Sequence, residues 1–421
     1  MTTQSTIFLL LLASCIFAAI PANAYDFTLS VYGNANMDDV IDEHDIEYVQ
    51  GIINKTEEKT QFADSNYDGQ IDEKDVEHIE SIISGDKVKL TLIDNKGVTV
   101  SLDVPAKSIA TLFLGALRPV VHLGSIDMVV GRCSISGADA KFISEAHPEI
   151  NSTPDLGSGQ EPSQEAIMSL DPDVIYGGFF TSKEISQAIS QNTGIPFVYA
   201  APVEIASFDK DNGAFETWRL LGSIQGNDAK QRAEQLIRYC DENIHMIEDV
   251  TSKIPEEEKP RVYLACYASP TMTTNYYQPI EIAGGVNVAE DLLAGSSGWG
   301  GIDISKEQIV EWNPDIILVH AGTKEDDGKH GSIDGILSDP ALQSVKAVKN
   351  KCVYGTKGWS IGWDPATGLC ECLYLAKIFH PEEFKDLDVE QECNEILEEF
   401  YGVPKLYDWM LENCGNYYTW R

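Results

Sequence analysis

The chain has 421 residues, and its 67 Asp and Glu against 30 Lys and Arg give a formal net charge of −37 at pH 7. A surface this acidic repels phosphate, which argues against nucleic acid or an anionic membrane as a partner. A chain of this length is expected to form two or three domains.

Residues 1–24 read as a secretion signal: they carry no charge, run apolar from Ile7 to Ile20, and end on the small residues Ala22 and Ala24 around Asn23. Leu12, Ala13, Ser14 and Cys15 also fit a lipoprotein box, so lipid anchoring at Cys15 stays open. No other run reaches the ~18 apolar residues of a membrane span. The mature chain is therefore expected outside the cytoplasm, at the cell surface or on the periplasmic side of the membrane. Its cysteines, Cys133, Cys240, Cys266, Cys352, Cys370, Cys372, Cys393 and Cys414, are even in number. That permits disulfides in an oxidising compartment without naming the pairs, and buried free thiols fit equally well. No CxxC spacing occurs, so a thiolate metal centre is not expected.

Residues 25–86 contain a repeat with an offset of 30 residues. Its first copy places Asn34, Asn36, Asp38, Asp42 and Asp45 at loop positions 1, 3, 5, 9 and 12, with the Val40 carbonyl at 7. The second places Asp64, Asn66, Asp68, Asp72 and Asp75 at the same positions, with the Gln70 carbonyl at 7. Ca2+ takes six to eight oxygen ligands, and this spacing wraps them around one ion, so two calcium sites are expected. Gly69 stands where such a loop turns sharply, whereas the first copy has Asp39 there, so the second site is expected to be the stronger. With Asp rather than Glu at position 12 and one helix after each loop, the module resembles the dockerin family. That resemblance implies a cohesin-like protein partner, read through Glu43, His44, Glu73 and Lys74.

A hairpin around Asn95, Lys96 and Gly97 opens the next region, in which short apolar strands and helices alternate, a pattern of parallel sheets covered by helices. One helix stands out. Residues 227–253 place Ala229, Ala233, Leu236, Ile237, Cys240, Ile244, Ile247 and Val250 on one apolar stripe, with Asn227 as candidate N-cap and Pro255 beyond its end. At about 1.5 Å per residue it is roughly 40 Å long, enough to run past two domains. On either side of it a segment recurs at an offset of 142 residues: Ser163, Glu165, Ile167, Pro172 and Asp173 match Ser305, Glu307, Ile309, Pro314 and Asp315. Each copy reads as a short helix, a Pro-Asp turn and a buried strand. The expected architecture is therefore α/β: two Rossmann-like lobes, 87–226 and 255–421, joined by one long helix at 227–254 and preceded by a small all-α calcium module.

The hairpin, the paired segments and the connecting helix resemble the class III substrate-binding proteins of ABC importers, a family serving iron–siderophores, haem and cobalamin. The resemblance implies capture of such a ligand between the lobes and delivery to a membrane permease, with Glu165 and Glu307 docking on permease arginines. Ligands of such folds sit at the carboxyl ends of the strands. The loops there bring Phe179, Tyr267, Trp299, Trp359 and Trp363, and the cations Arg118, Arg132 and Lys357, as candidate ligand-binding residues. Aromatic faces suit a flat, partly apolar chelate. The eight histidines form no HxxxH or HxH pair, against a bare Zn2+ or Mn2+ site in the cleft. No GxSxG, phosphate-binding Gly loop or Cys–His constellation is present, so an enzyme is not expected. The rival class is an exported attachment protein that works through its calcium module.

Overall fold

Two loops closed by their own side chains begin the described chain. In a computed structural model, the residues described are 28–178, 181–201, 206–209, 213–266, 269–293, 301–320, 332–356 and 364–413. Helices α1 (Glu43–Ile53) and α2 (Glu73–Ser84) each start from an Asp N-cap, Asp42 or Asp72, in a capping box completed by Asp45 or Asp75. Val49, Ile52 and Ile79 pack between them with Ala35 and Ala63 as a small core.

This module is not a separate bead. Leu29, Val31 and Ile82 belong to the same hydrophobic core as the lobes. Val31 bridges Leu92, and Tyr32 N–H donates to the Thr91 carbonyl at 2.9 Å. The receiving surface is an antiparallel hairpin, β1 (Val88–Ile93) with β2 (Thr99–Val104). Asp94 closes its turn by accepting from Lys96 and Val98 N–H, both at 2.9 Å, with Gly97 at φ +70°. The other Asp94 oxygen accepts from Tyr199 N–H at 3.0 Å and so ties the hairpin to the first lobe.

That lobe contains β3 (Ile109–Thr111), α3 (Leu114–His122), β4 (Val129–Gly131), α4 (Gly137–Ala146), α5 (Gln164–Leu170), β5 (Val174–Gly177), α6 (Lys183–Thr193), β6 (Phe197–Tyr199) and α7 (Ala214–Gln225). Its sheet is parallel in the order β4-β3-β5-β6. Next comes α8 (Asn227–Thr251), 25 residues without Gly or Pro. The second lobe has β7 (Arg261–Ala265), β8 (Met272–Thr273), α9 (Gln278–Ile282), β9 (Val286–Asn287), β10 (Ile302–Asp303), α10 (Lys306–Trp312), β11 (Ile316–His320), α11 (Ile333–Ser338), α12 (Lys346–Lys349), β12 (Val353–Thr356), α13 (Pro365–Phe379), α14 (Val389–Tyr401) and α15 (Leu406–Asn413). Its main sheet is again parallel, β12-β11-β7-β9. Short strands buried on both faces, with helices as crossovers, follow from the unbroken apolar runs.

The stripe on α8 is buried at Ala229, Ala233, Leu236, Ile237, Cys240, Ile244, Ile247 and Thr251, while Val250 is only partly covered. Covering each of Leu236, Ile237, Ile244 and Ile247 is worth about 1.5–3 kcal/mol. Two expectations are corrected here. Gly226, at φ +105°, is the N-cap, because the Asn227 amide is turned away to the module and donates to the Ser84 carbonyl at 3.2 Å. Arg118, expected on a cleft loop, lies instead in the first turns of α3, a helix whose residues are all buried.

Candidate functional site: the strand ends and the lobe junction

In each lobe the parallel strands deliver their carboxyl ends to one edge: Thr111 and Gly177 in the first, Ala265, His320 and Thr356 in the second. Of the expected ligand-binding residues, Phe179, Tyr267, Trp299, Lys357, Trp359 and Trp363 lie outside the described residues. The described part of the edge contains one ring, Phe113, that the sequence did not single out, and it is buried in the core. Phe113, the N-cap of α3, lies against two glycines: a Cβ on Gly178 would meet its ring at 2.0 Å, and one on Gly115 at 2.5 Å. Only glycine leaves room for that ring in the first turn of α3 and after β5. The signal was present in the sequence as paired Gly residues after an apolar strand, but nothing there said which ring they received.

The two expected cations of the first lobe are held within the fold. Arg132 donates through Nε to the Ile150 carbonyl at 3.0 Å, and through Nη1 to the Cys133 carbonyl at 2.9 Å and Asp155 Oδ2 at 3.0 Å. It therefore pins the β4 end to the segment before α5. Arg118 is 1 % exposed, inside α3.

A buried polar junction joins the lobes beneath. Asp364 caps α13 by accepting from Ala366 N–H at 3.1 Å, and its other oxygen accepts the Tyr401 hydroxyl at 2.8 Å. From the first lobe, His122 brings Nε2 to 3.5 Å from Asp364 Oδ1, with its ring edged against Phe400 and Tyr401 at 5.1 Å. Burial pushes the His122 imidazole down to about 4, so it is neutral beside the carboxylate at neutral pH. Arg232 of α8 ties the same helices, from its Nε to the His122 carbonyl at 3.3 Å and from Nη1 to Glu399 Oε1 at 2.5 Å.

The repeated segments show what each of their residues is for. Ser163 and Ser305 cap α5 and α10 by accepting from Ala166 and Gln308 N–H. Asp171 and Asn313 end them in left-handed conformation, at φ 47° and 46°. Asp173 accepts from Lys107 and Ser108 N–H, and Asp315 from Arg261 N–H, so each fixes the start of a neighbouring strand. Glu165 and Glu307 differ: both are exposed in the first helical turn.

In the calcium-type loops the side-chain oxygens fold inward onto backbone N–H groups. Asp64 accepts from Asp68 and Gly69, Asn66 from Asp68, Asp68 from Gln70, and Asp75 from Asn66 and Asp72. The first loop repeats this at Asn36, Asp38 and Asp45. Asn34 gives its amide N–H to the Leu29 and Asp38 carbonyls, at 2.8 and 2.6 Å, which leaves its Oδ1 buried without a partner. Burial also raises the Asp45 carboxyl to about 7. An orphaned oxygen at position 1 and a desolvated carboxylate at position 12 fit a cation taken up by the loop. Among the described residues, no three His, Cys, Asp or Glu side chains close into a finished metal cage. Asp39, at the turn position, points out of the loop and pairs with Arg219 of α7. Glu43, His44, Glu73 and Lys74 are all exposed.

Comparison with known proteins bears on the two-lobe part of the chain. MolA of Haemophilus influenzae, a molybdate-binding protein, is 24% identical over 273 residues, 60% of this chain and 74% of MolA. Its molybdate-bound structure superposes with a TM-score of 0.60 at 21% identity, covering 75% of this chain and 98% of that one. YvrC of Bacillus subtilis, an uncharacterized ABC transporter substrate-binding lipoprotein, is 22% identical over 299 residues, 70% of this chain and 87% of YvrC. CeuE of Helicobacter pylori with Ni(II) bound superposes with a TM-score of 0.56 at 19% identity, covering 76% of this chain and 99% of that one. The family described as periplasmic binding protein matches residues 109–358, which span both four-stranded sheets, both repeated segments and α8, and the chain belongs to that family.

Proposed function

We propose that this chain, a substrate-binding protein of an ABC importer and not an enzyme, captures a compact metal chelate, an iron–siderophore or a related tetrapyrrole. The support for the ligand class is the set of aromatics that follow the apolar strand segments in the sequence, Phe179, Tyr267, Trp299, Trp359 and Trp363, where such folds take their ligands; Phe113, packed against Gly115 and Gly178, is part of the core. Aromatic faces suit a flat, partly apolar chelate. A second reading, a bare oxyanion, is favoured by the similarity to the molybdate-binding MolA. Against it stands the use of the Arg132 guanidinium inside the fold. Calorimetric titration of the purified protein with a ferric hydroxamate, haem, cobalamin, Ni(II)–histidine and molybdate separates the two. Saturation by a chelate with molybdate silent supports the first reading; saturation by molybdate alone replaces it with the second.

Delivery is assigned to Glu165 and Glu307, which dock on cations of the permease. The support is that each sits, exposed, at the same place of a repeated segment whose Ser, Ile and Asp residues serve the fold. Export to the periplasmic or outer side of the membrane fits the family and the lipoprotein relative.

The N-terminal module is assigned two Ca2+ ions. Asn34, Asn36, Asp38, Asp42, Asp45 and the Val40 carbonyl would hold one; Asp64, Asn66, Asp68, Asp72, Asp75 and the Gln70 carbonyl would hold the other. The ion supplies the positive charge that these acidic loops lack. With its docking positions exposed, the module leaves a cohesin-like partner as a separate question for a binding assay.

A further inference from the structure

Only six large apolar side chains are exposed among the described residues: Met37, Tyr67, Met168, Met246, Leu293 and Val310. Met168 and Val310 are separated by 142 residues, the offset of the repeated segments. They therefore occupy one equivalent position on α5 and α10, 49 % and 36 % exposed. Each stands three residues after Glu165 or Glu307, a spacing that puts the two side chains side by side on one helix face. Both helices have seven residues, the same Ser cap and the same left-handed end, so the two pairs are presented alike. The other repeated side chains serve the fold. The Ser residues cap the helices, Ile167 and Ile309 fill cores at 0 % exposure, and the Asp residues fix strand ends. The exposed pair makes no such contribution, yet it is present twice.

We infer that Glu165 with Met168, and Glu307 with Val310, form two equivalent half-sites, each fitting a cation set beside an apolar socket on a membrane permease. The inference rests on the docking role of the two glutamates and adds to it. Charge alone selects poorly on a chain of net charge −37, which would be drawn to any basic surface. An apolar contact beside each carboxylate restricts docking to a surface that also offers a dry pocket, and desolvation there strengthens the ion pair. Because the half-sites are copies, the partner must offer the same socket twice, as a permease of two identical subunits does.

The test is photocrosslinking in membranes of the source organism, with a photoreactive residue placed in turn at 165, 168, 307, 310 and, as a control on α8, 246. Adducts with an ABC permease subunit from 168 and 310, and none from 246, are expected. Affinity for that permease in lipid nanodiscs should then fall about ten-fold for each of Met168→Asp and Val310→Asp, the loss of burying one such side chain. Both residues are exposed, so folding is unaffected and circular dichroism checks it. Adducts from 165 and 307 without any from 168 and 310, or an unchanged affinity in the two Asp variants, would overturn this inference and leave glutamate docking intact. Permease adducts from none of the four positions would overturn docking as well.

Discussion

Replacing Arg219 by Met tests whether the calcium-type module is built into the transport lobes. Arg219 is 8 % exposed and holds Glu234 of α8 through a two-pronged contact, Nε to Oε1 at 2.7 Å and Nη2 to Oε2 at 2.9 Å. Its Nη1 donates to Asp39 of the first loop, so one guanidinium clamps the module to the α7–α8 corner. Met keeps the stem and removes the charge, leaving two carboxylates facing each other across a half-buried gap. Burial already pushes the Asp39 carboxyl above its usual range, with Glu234 adding to it, so the loss is felt at once. Breaking a fully buried pair costs about 3–5 kcal/mol; with 25 % and 35 % of the two carboxylate side chains exposed, about 2 kcal/mol is expected. Urea unfolding followed by Trp218, which is 0 % exposed in the shared core, gives the number. A cycle with Asp39→Asn should yield a coupling of about 1–2 kcal/mol. If Arg219→Met unfolds at the wild-type midpoint, or the two changes simply add, the clamp contributes nothing and the module is only leaning on the lobes.

The other predictions concern metal, protons and thiols. Chelation by EDTA should lower the melting temperature of the module, and Asp64→Ala with Asp68→Ala should abolish the response of the second loop. Ca2+ at a hundred times its dissociation constant is worth about 2.7 kcal/mol, so an unchanged melting curve rules out the ion. His122 is held neutral down to about pH 4, mainly by burial, with Asp364 opposing and Arg118, Arg232 and His147 adding. In the unfolded chain it protonates near ~6.5. Stability is therefore complete above that value and declines as pH falls toward 4, by up to about 3 kcal/mol; His122→Gln should flatten that part of the pH–stability curve. Native maleimide labelling should reach Cys352 first among the described cysteines, the rest being buried, with Cys133 pushed up to about 12. Rapid native labelling of Cys240 or Cys372 would contradict the packing of α8 on α13.

What could be read from the sequence was what periodicity and repetition record. The α8 stripe, the hairpin and the paired segments are local patterns, and the α/β architecture followed from them. Asn227 was misread because its amide serves a distant carbonyl, on the module, and a cap assignment sees only its own helix. Arg132 carries no local sign that Ile150 and Asp155 occupy it, since those partners come from another segment. The same holds for the lobe junction: His122, Asp364 and Tyr401 lie far apart in the chain and share no motif. Met168 and Val310 were visible as an offset pair, but exposure is a property of the folded surface.

These long-range ties also bear on how a ligand is held. The lobes are connected by more than the continuous α8: Arg232 binds α3 to α14, His122 abuts Asp364, and Phe208 N–H donates to Gln278 of the second lobe at 2.7 Å. Helices α14 and α15 pack onto α3 and α4, so the second lobe reaches around the first. A wide hinge opening would have to expose this junction, including a neutral imidazole and a carboxylate that are both shielded from water. A small tilt would not, because packed helices slide by an ångström or two without parting. A junction that resists wide opening therefore leaves little binding energy to be spent on closing the lobes, whatever the ligand.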